Sequence, residues 1–203
     1  MAYTDFTILQ LKEQFGVEQK YHAHIFTHLP KREASEWLKS ALERGVDFAL
    51  DQDSEKARSE FIMAPVFLEL RHQARERISI FSGLEFNVDK KRKLTGFCDF
   101  LISRSPYQAA LEAPVMVAVE AKRQDFKKGL TQCMAEMIAA RIYNENRGRP
   151  VNEIYGCVTT GDVWRFLRLR DNAVEIETAS FDIVGDLEQI LGILWAMAWG
   201  DVA

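Results

Sequence analysis

The feature that most constrains the fold of this chain is an apolar run that ends in opposite charges, VMVAVEAK at residues 115–122. An almost uninterrupted apolar run of this length is typical of a strand buried on both faces of a sheet. Side chains alternate along a strand, so Glu120 and Lys122 point to the same face. Charged side chains at the end of a buried strand are costly unless they are paired or bind a ligand. The run therefore predicts a central strand with a functional charged pair at its end.

A lone carboxylate stands in a second strand-like run, GFCDFLI at residues 96–102. If this strand is a neighbour of the first, Asp99 and Glu120 meet. Two adjacent carboxylates disfavour each other's ionisation unless a cation lies between them, and carboxylate oxygens suit Mg²⁺ or Mn²⁺. Lys122 beside such a cation could orient a water and stabilise the charge that grows on a phosphate. The two runs together therefore predict a divalent-cation site.

The other patterns place these two strands in a mixed α/β sheet. Strand patterns cover residues 78–81 with 84–88, 96–102, 115–121, 154–159 and 163–169. A helix at residues 126–144 separates the third strand from the fourth and could be a crossover that makes them parallel. We therefore predict an α/β fold, with a central mixed five-stranded sheet flanked by helices.

The first 50 residues are interpreted as a small N-terminal cap or helical extension, which precedes a domain at residues 51–203. A helix is predicted at residues 31–44, closed by Gly45 in the position that glycine favours after a helix. Residues 18–29 could be a strand or an irregular segment.

A further helix begins near residue 54 and carries two candidate carboxylates. Glu55 shares a helical stripe with Ile62 and Val66, so it would point toward the sheet. Glu60 lies well away from that stripe on the helical wheel. The spacing therefore favours Glu55 as the site residue, with Glu60 as the alternative.

The ordered set of these residues resembles the PD-(D/E)XK, or restriction-endonuclease-like, nuclease superfamily. The set consists of Glu55 on a helix, Gly96-Phe97-Cys98-Asp99 on a strand, Glu120-Ala121-Lys122 on the next strand, and Gln132 on the following helix. The run SEKARSEFIMAPVFLEL, which starts at residue 54, is also similar to the first helix of the nuclease domain in type I restriction R subunits. The similarity covers about residues 54–170, and Cys98 stands where the superfamily often has proline.

The resemblance implies a restriction-endonuclease-like fold and a Mg²⁺- or Mn²⁺-dependent cleavage of phosphodiester bonds. It implies that Asp99 and Glu120 hold the metal ion and that Lys122 assists the attacking water. It also implies that Glu55 and Gln132 shape the site.

Three basic residues follow this motif closely and are candidates for contacts with nucleic-acid phosphates: Arg123, Lys127 and Lys128. The net charge of −4 and the pI of about 5.7 count against tight non-specific binding of nucleic acid. A local basic rim could still hold phosphates while the rest of the surface stays acidic.

The leading functional interpretation is a metal-dependent nuclease, an Mg²⁺-dependent endonuclease or phosphodiesterase that acts on DNA in preference to RNA. The alternative is a non-catalytic nucleic-acid-binding or assembly module that retains the nuclease fold. The complete charged set favours the enzyme, whereas the acidic pI favours the alternative. The sequence does not decide between DNA and RNA or name a pathway.

A last helix, expected at residues 183–199, contains the apolar run ILGILWAMAW at residues 190–199. This run is too short to span a bilayer, so no membrane partner is expected. A helix that is apolar nearly all round must be buried. A homodimer or a partner subunit would bury it, and so would the first 50 residues if they folded back over it.

Three widely spaced cysteines, Cys98, Cys133 and Cys157, form no CxxC pair, so we expect reduced core cysteines and no structural zinc site. The N-terminus lacks the basic and apolar regions of a signal peptide. Both observations predict a cytoplasmic protein.

Overall fold

The computed structural model of the chain describes residues 2–22, 24–122 and 125–200. Within these ranges eight strands form one mixed sheet in the order β1-β7-β6-β5-β4-β3-β2, with β8 paired to β6. The strands are β1 (Glu18–His22), β2 (Ser79–Glu85), β3 (Phe97–Ser103), β4 (Val115–Ala121), β5 (Glu153–Thr159), β6 (Val163–Arg170), β7 (Ala173–Glu177) and β8 (Phe181–Asp182). The α/β class and the mixed sheet are confirmed, but the expected count of five strands is wrong.

The additional strands could not be predicted from the sequence because they are short or polar. β1 pairs in parallel with β7 from Glu18↔Ala173 to His22↔Glu177 and forms one edge of the sheet. Its side chains are mostly exposed, so the segment EQKYH has no apolar run that would mark a strand. The ambiguous residues 18–29 therefore begin as a strand whose position is set by its partner, and this strand comes from the predicted N-terminal extension.

Helices cover both faces of the sheet. The helices are α1 (Ile8–Phe15), α2 (Glu36–Gln52), α3 (Glu55–Arg58), α4 (Ala64–Gln73), α5 (Phe126–Asn146) and α6 (Leu187–Trp199). Buried residues of α2, α4 and α6 form one core with the sheet, and buried residues of α1 and α5 form the other. We call these two sides the α4 face and the α5 face.

The helix predicted at residues 31–44 is displaced, and Gly45 does not end it. The helix α2 begins after Ser35, whose hydroxyl accepts a hydrogen bond from the Leu38 amide at 3.2 Å, and it continues to Gln52. Gly45 lies in its middle, where an added Cβ would be 2.5 Å from the backbone oxygen of Phe61. The glycine is therefore required by close packing between helices and not by a turn.

The helix that starts at residue 55 is irregular around Pro65. Residues Ser59–Met63 form a π-helical turn between α3 and α4, and the Ala64 amide donates to the Ser59 carbonyl. Pro65 has no amide hydrogen, so the carbonyl of Phe61 loses its usual helical donor. A wider turn next to the proline accommodates this loss, and Gly45 of α2 packs against that same carbonyl.

We expect Gly45→Ala to destabilise the protein by about 1–3 kcal/mol through overpacking against the Phe61 carbonyl. The higher helix propensity of alanine, worth about 1 kcal/mol, acts in the opposite direction. The free energy of unfolding in urea measures the balance. Gly185→Ala is the matched control, because an added Cβ there meets nothing within 4 Å. A Gly45→Ala protein more stable than wild type would contradict the close approach of the two helices.

The C-terminal helix α6 is covered by the chain itself. The Arg32 amide donates to the Glu188 carbonyl at 2.9 Å, and the Gln189 side chain donates to the Leu29 carbonyl at 3.0 Å. The Arg32 guanidinium lies 3.6 Å from the ring centroid of Trp195. Residues from the first 50 thus pack against α6, and the dimer or partner subunit stays a prediction.

No helix in the described part of the chain is long and apolar enough to cross a membrane. All three cysteines are buried and free, in agreement with the expected reduced core cysteines.

Candidate functional site

The two strands that carry the predicted carboxylates are neighbours. β3 and β4 are antiparallel, and Phe100 pairs with Val119 immediately beside the site. Continuing this register by one residue places Asp99 opposite Glu120. The Asp99 carboxylate accepts a hydrogen bond from the Ala121 amide at 2.7 Å, which fixes it at the end of β4.

Lys122 is held beside Glu120 by the strand and by α5. Its ammonium group forms an ion pair with one oxygen of the Glu120 carboxylate, and its amide donates to the Thr159 carbonyl of β5 at 2.8 Å. An added Cβ on Gly129 would lie 2.8 Å from Cγ of Lys122. Gly129 therefore lets the first turn of α5 lie directly on the lysine side chain.

Gln132 reaches the site from the next turn of α5. Its Nε2 donates to the other Glu120 oxygen at 2.6 Å and to the Glu136 carboxyl group at 3.1 Å. Both Gln132 and Glu136 are buried. The amide therefore connects two carboxyl groups inside the core.

Glu136 belongs to the site but was missed by the sequence analysis. It has no exposed surface, and its Oε2 has no hydrogen-bond partner among the residues that the structure describes. A signal was present: Gln132 and Glu136 are four residues apart in an otherwise apolar helical segment, and this spacing places them on one face. The resemblance to the nuclease superfamily pointed to Gln132 alone.

The electrostatics of this cluster are dominated by burial. Burial, together with the charge of Asp99, raises the pKa of Glu120 to about 8, although Lys122 acts in the opposite direction. Burial also raises the pKa of Asp99, and burial with the charge of Glu120 raises the pKa of Glu136. The ammonium group of Lys122 cannot neutralise all three of these carboxyl groups if they ionise. A further cation bound next to them would compensate the remaining negative charge.

The lysine remains charged in this environment. Burial lowers the pKa of Lys122, but the carboxylates of Glu120, Glu55 and Asp99 outweigh it and raise that pKa above its ordinary value. Lys122 is therefore an electrostatic group and a hydrogen-bond donor here, and it is not poised to act as a base.

The two helical carboxylates, Glu55 and Glu60, differ in the groups that they interact with. Glu55 is the first residue of α3, where the Ser54 hydroxyl caps the Ala57 amide at 3.1 Å. The charge of Glu55 raises the pKa of Asp99 and of Lys122, so it acts on the site. Glu60 instead forms an ion pair with Lys56 at 2.7 Å, and both glutamates are exposed.

A buried arginine ties α3 to the sheet. One Arg58 nitrogen donates to the Thr160 carbonyl at 2.6 Å and to Asp162 at 3.1 Å, and the other lies 3.4 Å from Asp53. Thr160 and Asp162 form the turn between β5 and β6. Arg58 therefore positions the helix that carries Glu55.

Two of the three residues predicted to contact nucleic acid lie within the described part of the chain. Arg123 lies outside the described residues. Lys127 and Lys128 are exposed in the first turn of α5, and the Asp125 side chain caps the Lys128 amide at 2.9 Å. Both lysines belong to the same helical turn as Gly129, which packs on Lys122, and their contact with nucleic acid stays a prediction.

Among the described residues, no group of three or more histidine, cysteine, aspartate or glutamate side chains is arranged to hold a metal ion. The candidate donors for a cation are the two carboxylates of Asp99 and Glu120. Two carboxylates suffice for Mg²⁺, which usually keeps several waters and binds one or two carboxylates together with substrate phosphates.

Comparison with known proteins does not assign the chain to a family. No family model matches it, and no curated protein is significantly similar to it.

We expect the metal-free protein to lose stability as the pH rises from about 5 to about 8. The pKa of Glu120 is about 8 in the folded protein and 4.5 in a free side chain, so the folded state binds the proton more tightly. This contribution is complete below pH 4.5 and is lost as the pH rises through the folded pKa, with a limiting slope of about 1.4 kcal/mol per pH unit. Urea unfolding at several pH values measures it.

Glu120→Gln should make this slope shallower, because glutamine carries no ionisable proton, while Asp99 and Glu136 keep theirs. Glu43→Gln, at an exposed position of α2, is the matched control and should leave the slope unchanged. An identical slope in wild type and Glu120→Gln would show that the Glu120 carboxyl group is not destabilised in its ionised form.

Proposed function

We propose that this protein is a metal-dependent nuclease with a restriction-endonuclease-like fold, related to the PD-(D/E)XK superfamily, that hydrolyses phosphodiester bonds in DNA. The observation that carries the proposal is the convergence of Asp99, Glu120 and Lys122 at the ends of two paired, buried strands. Structural ion pairs are usually matched in charge, whereas this cluster has an excess of buried carboxyl groups. A site of this kind suits a cationic cofactor and a phosphate substrate.

The residues present fit Mg²⁺ or Mn²⁺. Asp99 and Glu120 would hold the ion, since the register of β3 and β4 places them opposite each other and burial makes both carboxylates costly to ionise. A divalent ion bound there would supply Lewis-acid polarisation of a phosphoryl oxygen and would acidify the attacking water. Gln132 holds the second Glu120 oxygen at 2.6 Å and so fixes the orientation of that carboxylate.

Lys122 supplies the positive group next to these carboxylates. Its ammonium group can donate hydrogen bonds to the attacking water and to a phosphate oxygen that gains charge. Gly129 and the backbone bond to Thr159 hold the lysine at this place before substrate arrives. Glu55, at the N-terminus of α3, adds a negative charge that acts on Lys122 and raises its pKa.

The proposal is tested by incubation of the pure protein with supercoiled plasmid and with single-stranded DNA, in Mn²⁺, Mg²⁺ or excess chelator. We expect cleavage that requires the cation and is lost in Asp99→Ala. Binding of DNA by wild type without cleavage under any of these conditions would overturn the nuclease proposal and support the alternative, a non-catalytic binding module.

A further inference from the structure

Arg165 of β6 lies in the same row of the sheet as the site residues. Glu120 of β4 pairs with Val158 of β5, and Val158 pairs with Arg165. Paired residues point to the same face, so Glu120 and Arg165 both face α5. They are separated by two strand spacings, about 10 Å. Along this row the charge changes from the Glu120 carboxylate on β4 to the Arg165 guanidinium on β6, with the apolar Val158 of β5 between them.

The Arg165 guanidinium is held in place without a carboxylate. It lies 5.1 Å from the ring centroid of Phe126, the first residue of α5. In the described parts of the chain it forms no ion pair, and its buried Nε has no hydrogen-bond partner. The other two arginines of β6 differ, because Arg168 and Arg170 both form ion pairs with Glu153 and Glu175.

A guanidinium has five donors in a fixed plane. Stacking on an aromatic ring orients that plane without using its donors, and although Nε of Arg165 is buried, the residue as a whole is only half-buried. The paired donors of a guanidinium match the oxygens of a phosphate. A bound phosphate would give Arg165 the anionic partner that it lacks among the described residues. Lys127 and Lys128 follow Phe126 in the first turn of α5 and are exposed, so further positive charge lies at this end of the helix.

We propose that Arg165 binds a backbone phosphate of the nucleic-acid strand, beside the phosphodiester held at Asp99 and Glu120, and that Phe126 is the positioning residue that orients it. This inference rests on the proposed nuclease function. It also gives the direction in which the nucleic acid crosses the protein: the nucleic-acid strand runs from the carboxylates on β3 and β4 toward Arg165 on β6.

The test compares wild type, Arg165→Ala, Arg165→Lys and Arg170→Ala in binding to a labelled single-stranded oligonucleotide, with chelator present to prevent cleavage. Binding is measured at several salt concentrations. Loss of one phosphate contact should lower the slope of log affinity against log salt by about 0.7. Arg165→Ala should therefore weaken binding about fivefold at 0.1 M salt. Arg165→Lys should keep the slope, because it keeps the charge.

Arg170→Ala is the matched control. It removes one positive charge from the same strand, but from the opposite end, where the arginine is already paired with carboxylates. We expect its slope to equal that of wild type. Circular dichroism confirms that each variant is folded before binding is compared.

The outcomes separate this inference from the proposed function. If wild type cleaves DNA but Arg165→Ala keeps the wild-type slope, the assignment of Arg165 is overturned and the nuclease proposal stands. If wild type binds without cleaving and Arg165→Ala lowers the slope, the phosphate contact is supported and the nuclease proposal fails. If wild type neither binds nor cleaves, both are overturned.

Discussion

Lys122→Met should reduce DNA cleavage by about 10²–10³-fold while the protein stays folded and still binds the cation. The lysine is placed to act on the water and on the phosphate, and single positioned donors of this kind contribute about that factor. Methionine keeps an unbranched apolar side chain against Gly129, so the packing of α5 on β4 is preserved. Single-turnover cleavage at saturating Mn²⁺ measures the chemical step.

The control for this change is Lys20→Ala, which removes an exposed charge from the edge strand β1, far along the sheet order from β4. We expect it to cleave at the wild-type rate. Full activity in Lys122→Met would show that Lys122 has no catalytic role and only forms a structural ion pair with Glu120.

Asp99→Ala should abolish binding of the divalent cation, because it removes one of the two carboxylates that face the site. Isothermal calorimetry with Mn²⁺ measures the loss directly and does not depend on cleavage. Asp99 also accepts a hydrogen bond from the Ala121 amide at 2.7 Å, so alanine could disturb the end of β4. Asp99→Asn keeps an acceptor for that amide and removes only the charge.

Both variants should lose the calorimetric signal, and a thermal melt should show that Asp99→Asn is folded. Equal Mn²⁺ binding by wild type and Asp99→Asn would remove Asp99 from the metal site.

The central strands of the sheet could be predicted because each of them is a clear apolar run in the sequence. β4 is buried at every position, so its apolar run is unambiguous, and the charged residues that follow it stand out. The edge strand β1 could not be found in the same way, because most of its side chains face solvent and its pairing with β7 is set by backbone hydrogen bonds.

Some residues of the candidate site could likewise be predicted from the sequence, and others could not. Asp99, Glu120 and Lys122 interrupt or end apolar strands, so the sequence marks them. Glu136 is not marked, because a single carboxyl group in a helix is usually taken to face solvent. Its burial depends on how α5 lies on β4 and β5. That approach is set by small residues: an added Cβ on Gly156 would lie 2.5 Å from the Met137 sulfur.

Gly45 illustrates the opposite error. A glycine after a helical pattern usually ends the helix, and the sequence alone gives no reason to place it in the interior. The reason is the Phe61 carbonyl across the interface, which belongs to the irregular helix next to Pro65. Such a contact is between residues distant in sequence, so local patterns cannot reveal it.

The most direct test of the central claim, that Asp99 and Glu120 hold a divalent cation beside Lys122, is anomalous X-ray diffraction from crystals soaked in Mn²⁺. We expect one anomalous peak about 2.1 Å from a carboxylate oxygen of each residue, with Gln132 still bonded to Glu120. Crystals that show Mn²⁺ bound elsewhere, or that show no peak between these carboxylates at millimolar Mn²⁺, would contradict the account.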